Sequence, residues 1–75
     1  MKELIEYIAR SIVNAPDEVV VTEETDDERT TFKLQVADED KGRVIGKQGR
    51  VAEAMRTLLR VTAAKAGTRA TLQIL

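Results

Sequence analysis

Gly46-Lys47-Gln48-Gly49 places two glycines three positions apart around a cation and an amide, with Lys41, Arg43 and Arg50 close on either side. Neither glycine carries a Cβ, so the backbone here can approach a ligand closely. Helix-like segments flank the turn, and the amide groups at the start of a helix attract negative charge. A tight, basic, glycine-hinged turn of this kind suits a sugar-phosphate backbone. The nucleotide phosphate loop, GxxxxGK[ST], is absent.

Little else in the chain offers chemistry. There is no histidine and no cysteine, so the usual near-neutral general base and the thiol nucleophile are both missing. Without cysteine there is also no disulfide framework and no thiolate metal site. Ser11 has no base in prospect and reads as a surface or back-bonded helix serine. The acidic clusters Asp26-Asp27-Glu28 and Asp38-Glu39-Asp40 lack the spacing of a calcium loop and read as turn and cap residues. The expectation is a protein that is not an enzyme, with no catalytic residue, metal, cofactor or small-molecule substrate.

The formal net charge of −1 conceals an asymmetry. Residues 1–40 carry twelve acidic and four basic side chains, whereas residues 41–69 carry eight basic side chains against Glu53 alone. The basic half begins at the glycine turn, which points to an anionic partner rather than to ordinary solvated helix faces. Hydrophobic residues at 43% and charged residues at 33% describe a globular chain. Seventy-five residues suffice for one small domain, which buries only about 60% of its unfolded surface. The apolar runs are far shorter than the roughly 20 residues of a membrane helix, and no signal-peptide core follows Met1. A cytoplasmic protein without membrane contact is expected.

The elements that must position the turn follow from periodicity. Leu4, Ile5, Ile8, Ile12 and Val13 recur at helical spacing, and Pro16 predicts an end near Asn14-Ala15. Residues 18–23 contain a β-branched run that predicts a strand, and residues 24–28 an acidic solvated turn. Residues 30–37 alternate, with Phe32, Leu34 and Val36 on one face. A short helix should start at Asp38-Glu39-Asp40 and stop near Ile45. After Gly49, the positions Val51, Ala54, Met55, Leu58, Leu59, Val61 and Thr62 have helical period to about Ala66, with Gly67 as the C-terminal cap. Residues 69–75 form a last strand. The order is α-β-β-α-α-β, a two-layer α/β (α+β) domain whose first two strands pair antiparallel. The last two, joined by a right-handed crossover, lie parallel if adjacent.

Aromatic content separates the modes of nucleic-acid binding. Platforms that stack bases on strands need exposed aromatic rings, and this chain has only Tyr7 and Phe32. Phe32 falls on the buried strand face, and Tyr7 at the edge of an apolar stripe where its ring half-buries. What remains is a backbone clamp beside an aliphatic groove. Ile45 and Val51 either line that groove or belong to the core, and Arg56 and Arg60, further along, read as a solvated face.

The run from Asp40 through Val44-Ile45-Gly46-Lys47-Gln48-Gly49-Arg50 resembles the signature of KH domains, in which a helix-GxxG-helix unit grips single-stranded nucleic acid. The element order is similar to the type II, bacterial arrangement, with three helices on one face of a three-stranded mixed sheet. Over its whole length the chain resembles the KhpA family of small stand-alone bacterial KH proteins. One position departs from the wider KH pattern: Ala52 stands where a bulky aliphatic residue is common, so the seating of the second long helix is open.

The resemblance implies binding of about four unpaired nucleotides. Gly46, Lys47, Gln48 and Gly49 would lie against phosphates, Arg50, Arg43 and Lys41 would add attraction, and Ile45 would line the groove. It further implies an RNA chaperone or post-transcriptional regulator. Self-association as a homodimer, and pairing with a second KH-containing protein linked to cell elongation and division, are also implied. A single-stranded DNA target is the weaker alternative.

Overall fold

The computed structural model describes residues 1–27 and 29–75. The chain runs α1 (Lys2–Ile12), a 3-10 turn (Pro16–Glu18), β1 (Val20–Asp26), β2 (Arg29–Gln35), a second 3-10 turn (Asp38–Asp40), α2 (Lys41–Ile45), a third (Lys47–Gly49), α3 (Arg50–Lys65) and β3 (Arg69–Ile74). This is the element order read from the sequence. The sheet order is β1-β2-β3. β1 and β2 are antiparallel, with Val21 opposite Leu34 and Asp26 opposite Arg29. β2 and β3 are parallel, with Phe32 beside Leu72.

One face of the sheet carries the core. Val21, Phe32, Leu34 and Leu72 meet Ile5 and Ala9 of α1, Val44 of α2, and Met55 and Leu59 of α3. α3 seats through Ala52, Met55, Leu59 and Ala63, all buried. These lie three and four residues apart, on one side of the helix. The small Ala52 is part of that seam, which answers how this helix sits on the sheet. Helical period alone admitted Ala54, Leu58 and Val61 to the same stripe, but they face away from the core, with Leu58 47% and Val61 49% exposed.

α1 ends at Ile12, two residues short of the Asn14-Ala15 stop expected from Pro16, with Val13 already extended. Its inner face is Ile5 and Ala9. Tyr7 lies two residues from each and is therefore on the opposite side of the helix. At 73% exposure its ring is not half-buried as expected. Ser11 donates to the Tyr7 carbonyl at 2.7 Å, the back-bonded role read from the sequence. In the first turn the Glu3 carboxyl is held below its ordinary range by a hydrogen bond to its own backbone and by the terminal ammonium.

β1 is longer than the sequence implied. Glu24, Thr25 and Asp26, read as turn residues, continue the strand opposite Thr31, Thr30 and Arg29. Pairing with β2 outweighs their modest strand preference. The turn is therefore tight, with Asp27 in the left-handed region at φ 52; Glu28 of the expected acidic turn lies outside the described residues. At the far end of α3, Thr68 N–H donates to the Ala63 carbonyl at 2.9 Å and Gly67 N–H to Ala64 at 3.1 Å, closing the helix at Gly67 as expected.

Asp38-Glu39-Asp40 forms the expected lead-in to α2, but Asp40 does not cap it. Its carboxylate is fully buried. The two oxygens accept hydrogen bonds from the backbone N–H groups of Asn14 at 3.1 Å and Ala15 at 3.0 Å. Arg43 Nε stands 3.8 Å away. Asp40 thus ties the exit of α1 to the base of the helix that carries the glycine turn.

Candidate nucleic-acid interface

The turn between α2 and α3 is built from three departures from helical geometry within four residues. Gly46 has φ 76 and ψ 172, Gln48 φ 57 and ψ 24, and Gly49 φ 73 and ψ 15. The two glycines serve different ends. A Cβ on Gly46 would lie 2.5 Å from Val51 Cγ2 and 2.9 Å from Val51 N. The missing side chain at Gly46 therefore lets the first turn of α3 pack back against α2, rather than admitting a ligand. A Cβ on Gly49 would meet nothing within 4 Å. Gly49 is the glycine whose bare side is open.

These differences predict unequal tolerance. Gly46→Ala combines a backbone region reserved for glycine with a steric overlap and is expected to cost about 3–5 kcal/mol. Gly49→Ala only places alanine in the left-handed region, a cost of about 1–2 kcal/mol. Thermal melts should show the first drop well below the second; equal melting temperatures would contradict this division.

Beside Gly49 runs an open groove of about 410 Å³ lined by Lys41, Ile45, Gly49, Ala52, Arg56 and the end of β3, residues 72–75. Ile45 is 40% exposed and presents its side chain there. Val51 instead packs against the core and under Gly46, so of the two aliphatic candidates Ile45 faces the groove. Ala52 contributes only a methyl group to the floor, which leaves the groove its depth.

The cations around the turn are not equivalent. Lys47 is exposed and, among the described residues, makes no ion pair. Arg50 Nη2 donates to the neutral Gln48 Oε1 at 3.3 Å and, among the described residues, makes no ion pair. Lys41 Nζ lies 3.4 Å from Asp38, and Arg43 is engaged with Asp40. The turn itself therefore carries the uncompensated charge, over the N-terminal end of α3, which adds a positive partial charge of its own.

Gly46, Lys47, Gln48, Gly49, Arg50, Arg43, Lys41 and Ile45 are thus gathered at one end of the molecule, with Arg43 partly withdrawn into a structural ion pair. Sequence reasoning missed Arg56 and the end of β3. Arg56 reads as solvated in the sequence, but it lines the groove, and its Nε donates to the Leu72 carbonyl at 3.4 Å. Its spacing of four from Ala52 was the available signal, since it puts both on one helix face.

The signature, the topology and the groove converge on one family. A model for the KhpA/KhpB KH domain matches residues 2–74. The chain belongs to the KhpA/KhpB KH-domain family. It is similar to the RNA-binding protein KhpA of Clostridium acetobutylicum, with 48% identity over 75 residues and all of both chains covered. The RNA-binding protein KhpA of Listeria monocytogenes is 47% identical over 75 residues, covering 100% of this chain and 99% of the relative. That of Treponema pallidum is 49% identical over 74 residues, covering 99% and 92%. No solved structure matches the chain significantly. Among the described residues, no helix is long and apolar enough to cross a membrane.

Proposed function

We propose that this KH domain binds single-stranded RNA, with the backbone of Gly46 to Gly49 against phosphates and about four nucleotides along the groove. The observation that carries the reading is the pairing of an uncompensated Lys47 and an open Gly49 with an apolar groove beginning at Ile45. The relatives' name as RNA-binding proteins supports it. Lys47 and Arg50 offer a phosphate its counter-charge beside the bare Cα of Gly49, whose own N–H is held by the Gly46 carbonyl, and Ile45 offers an apolar surface for a base. Arg43 and Lys41 supply weaker, longer-range attraction. The biological role is that of a cytoplasmic RNA chaperone or post-transcriptional regulator, without a reaction of its own.

Affinity is micromolar or weaker, since so short a strand offers few phosphates, and it falls with salt as counterions are released. Fluorescence anisotropy with a labelled single-stranded RNA, its duplex and the matching single-stranded DNA tests this. Binding to the single-stranded RNA, weaker at higher salt, is expected. Preference for the duplex, or binding indifferent to salt, would overturn it.

A second reading rests on Leu58 and Val61, exposed on the outer face of α3. They form an apolar surface on which a second copy, or a second KH protein such as one of the KhpB type, could dock. Through that pairing the domain would act in cell elongation and division. Light scattering across concentrations should show a dimer that Leu58→Glu dissociates; a monomer at every concentration would remove the homodimer.

A further inference from the structure

Residues 38–49 fold as three helical pieces in succession, of three, five and three residues. None is long enough to hold its shape alone, because a helix of one turn barely offsets the cost of its nucleation. The pose of α2, and of the glycine turn it carries, is therefore set by what grips it from outside. At its C-terminal end, Gly46 packs against Val51. In its middle, Val44 enters the core, which fixes the depth of the helix. At its N-terminal end stands the carboxylate of Asp40.

That carboxylate is a latch. It is fully buried, and its oxygens are held by the N–H groups of Asn14 and Ala15, in the chain leaving α1. It does not reach the ligand: it is no part of the groove lining, and the five residues of α2, about 7.5 Å of helix axis, separate it from Gly46. Lys41 and Ile45 face the groove. Arg43, two residues from each, lies on the other side of α2, with its Nε 3.8 Å from Asp40. Asp40 therefore acts on RNA in two opposed ways. As a negative charge beside Arg43 it weakens the attraction. As the latch it holds the turn in place and strengthens binding.

We propose that Asp40 is a positioning residue for RNA binding, acting through α2, and that RNA at the glycine turn is coupled to the latch at the exit of α1. The inference rests on the reading of the GxxG groove. A turn already held in its binding geometry takes RNA without first being ordered, so the closed latch favours binding. Coupling is reciprocal, so bound RNA holds the latch closed by the same factor. α1 contributes nothing to the groove lining, yet through this latch it sets the affinity there. A change that pulls Asn14 and Ala15 away from Asp40 loosens the turn.

Amide hydrogen exchange of the wild-type protein, free and saturated with a short single-stranded RNA, reads the latch. RNA should slow the Asn14 and Ala15 amides about fivefold or more, the lower end of coupling between linked sites. The Gly67 amide, bonded at the far end of α3, should not slow. The signal lies in exchange rate rather than resonance position, because RNA suppresses a minor open state. Anisotropy on D40N, at a temperature where it is fully folded, should show RNA binding weakened by a similar factor. Freeing Arg43 alone would tighten binding, so the direction separates positioning from charge. A63G, a buried site near the far end of α3, is the control for lost stability and should bind RNA as wild type does. Unchanged exchange at Asn14 and Ala15 on saturation overturns the coupling, and so does a D40N that binds as tightly as wild type or more tightly. Equal weakening in A63G also overturns it, leaving Asp40 a stability residue alone. Failure of wild type to bind the RNA overturns the groove reading itself, and the coupling with it.

Discussion

Replacing Lys47 and Gln48 together by aspartate is expected to weaken RNA binding at least 100-fold while leaving the melting temperature within a few degrees of wild type. The substitution changes the charge of the turn by three units where the proposed phosphates lie. At about 1 kcal/mol per charge pair in water-like dielectric, that is a loss of roughly 3 kcal/mol, or more than two powers of ten. The fold should not notice. Both side chains are exposed, and the double substitution breaks only the hydrogen bond from Arg50 to Gln48, at 3.3 Å. Position 48 needs a positive φ, which aspartate tolerates better than most residues. Anisotropy titrations beside a circular-dichroism melt measure both halves. Unchanged affinity would remove the turn from the binding site, and a collapsed melt would show that the pair is structural.

A large stability effect is expected at Asp40, whose buried carboxylate is not part of the groove lining. Asp40→Ala leaves the amides of Asn14 and Ala15 without their acceptors and Arg43 without its partner. An unsatisfied buried donor costs about 1–3 kcal/mol; here two part-buried amides lose their acceptor while Arg43, about half exposed, re-solvates, so the loss is about 2–4 kcal/mol in total. Against a margin of about 5–15 kcal/mol for a small domain, this is a large fraction. The melting temperature should drop by about 8–32 °C, at 4–8 °C per kcal/mol. Asp40→Asn keeps one carbonyl acceptor of the same size and should recover part of the loss. Because Asp40 precedes α2, the damaged domain should also hold its glycine turn less firmly. A melting temperature within a few degrees of wild type in Asp40→Ala would show that the buried carboxylate is not what fixes α1 to α2.

Much of the fold was legible because its signals are local. Phe32 and Leu34 alternate cleanly inside β2, while Val36, the next step of the same alternation, is buried just past the strand's end at Gln35. Pro16 and Gly67 end their helices through backbone constraints that act within a few residues. Asp40 was not legible in the same way: its carboxylate meets amides about 25 positions earlier in the chain, a pairing that no spacing rule announces. Glu24 to Asp26 looked like a turn because acidic residues favour one, and only their partners across β2 make them a strand.

The candidate site divides along the same line. The glycines, Lys47 and Arg50 could be named from the sequence because they sit within one short run. Their division of labour could not, since the clash that demands Gly46 comes from Val51, in the first turn of the next helix. Arg56 and the end of β3 join the groove only once α3 lies along the edge of the sheet. Tyr7 was misplaced at the edge of the α1 stripe: Ile5 and Ala9, with Ile8 and Ile12 beside them, hold the core side, and the ring falls outside it.

The central claim is that the turn from Gly46 to Gly49 and the groove beside it are where RNA lies. Titrating isotopically labelled protein with a short single-stranded RNA and following the backbone amide resonances tests it most directly. The expected result is a concentration-dependent shift confined to Ile45 through Ala52, Arg56 and the end of β3, with Lys47, Gln48 and Gly49 moving furthest. Shifts centred instead on the open sheet face, at Thr31, Lys33 and Thr71, with the glycine turn unmoved, would contradict the account.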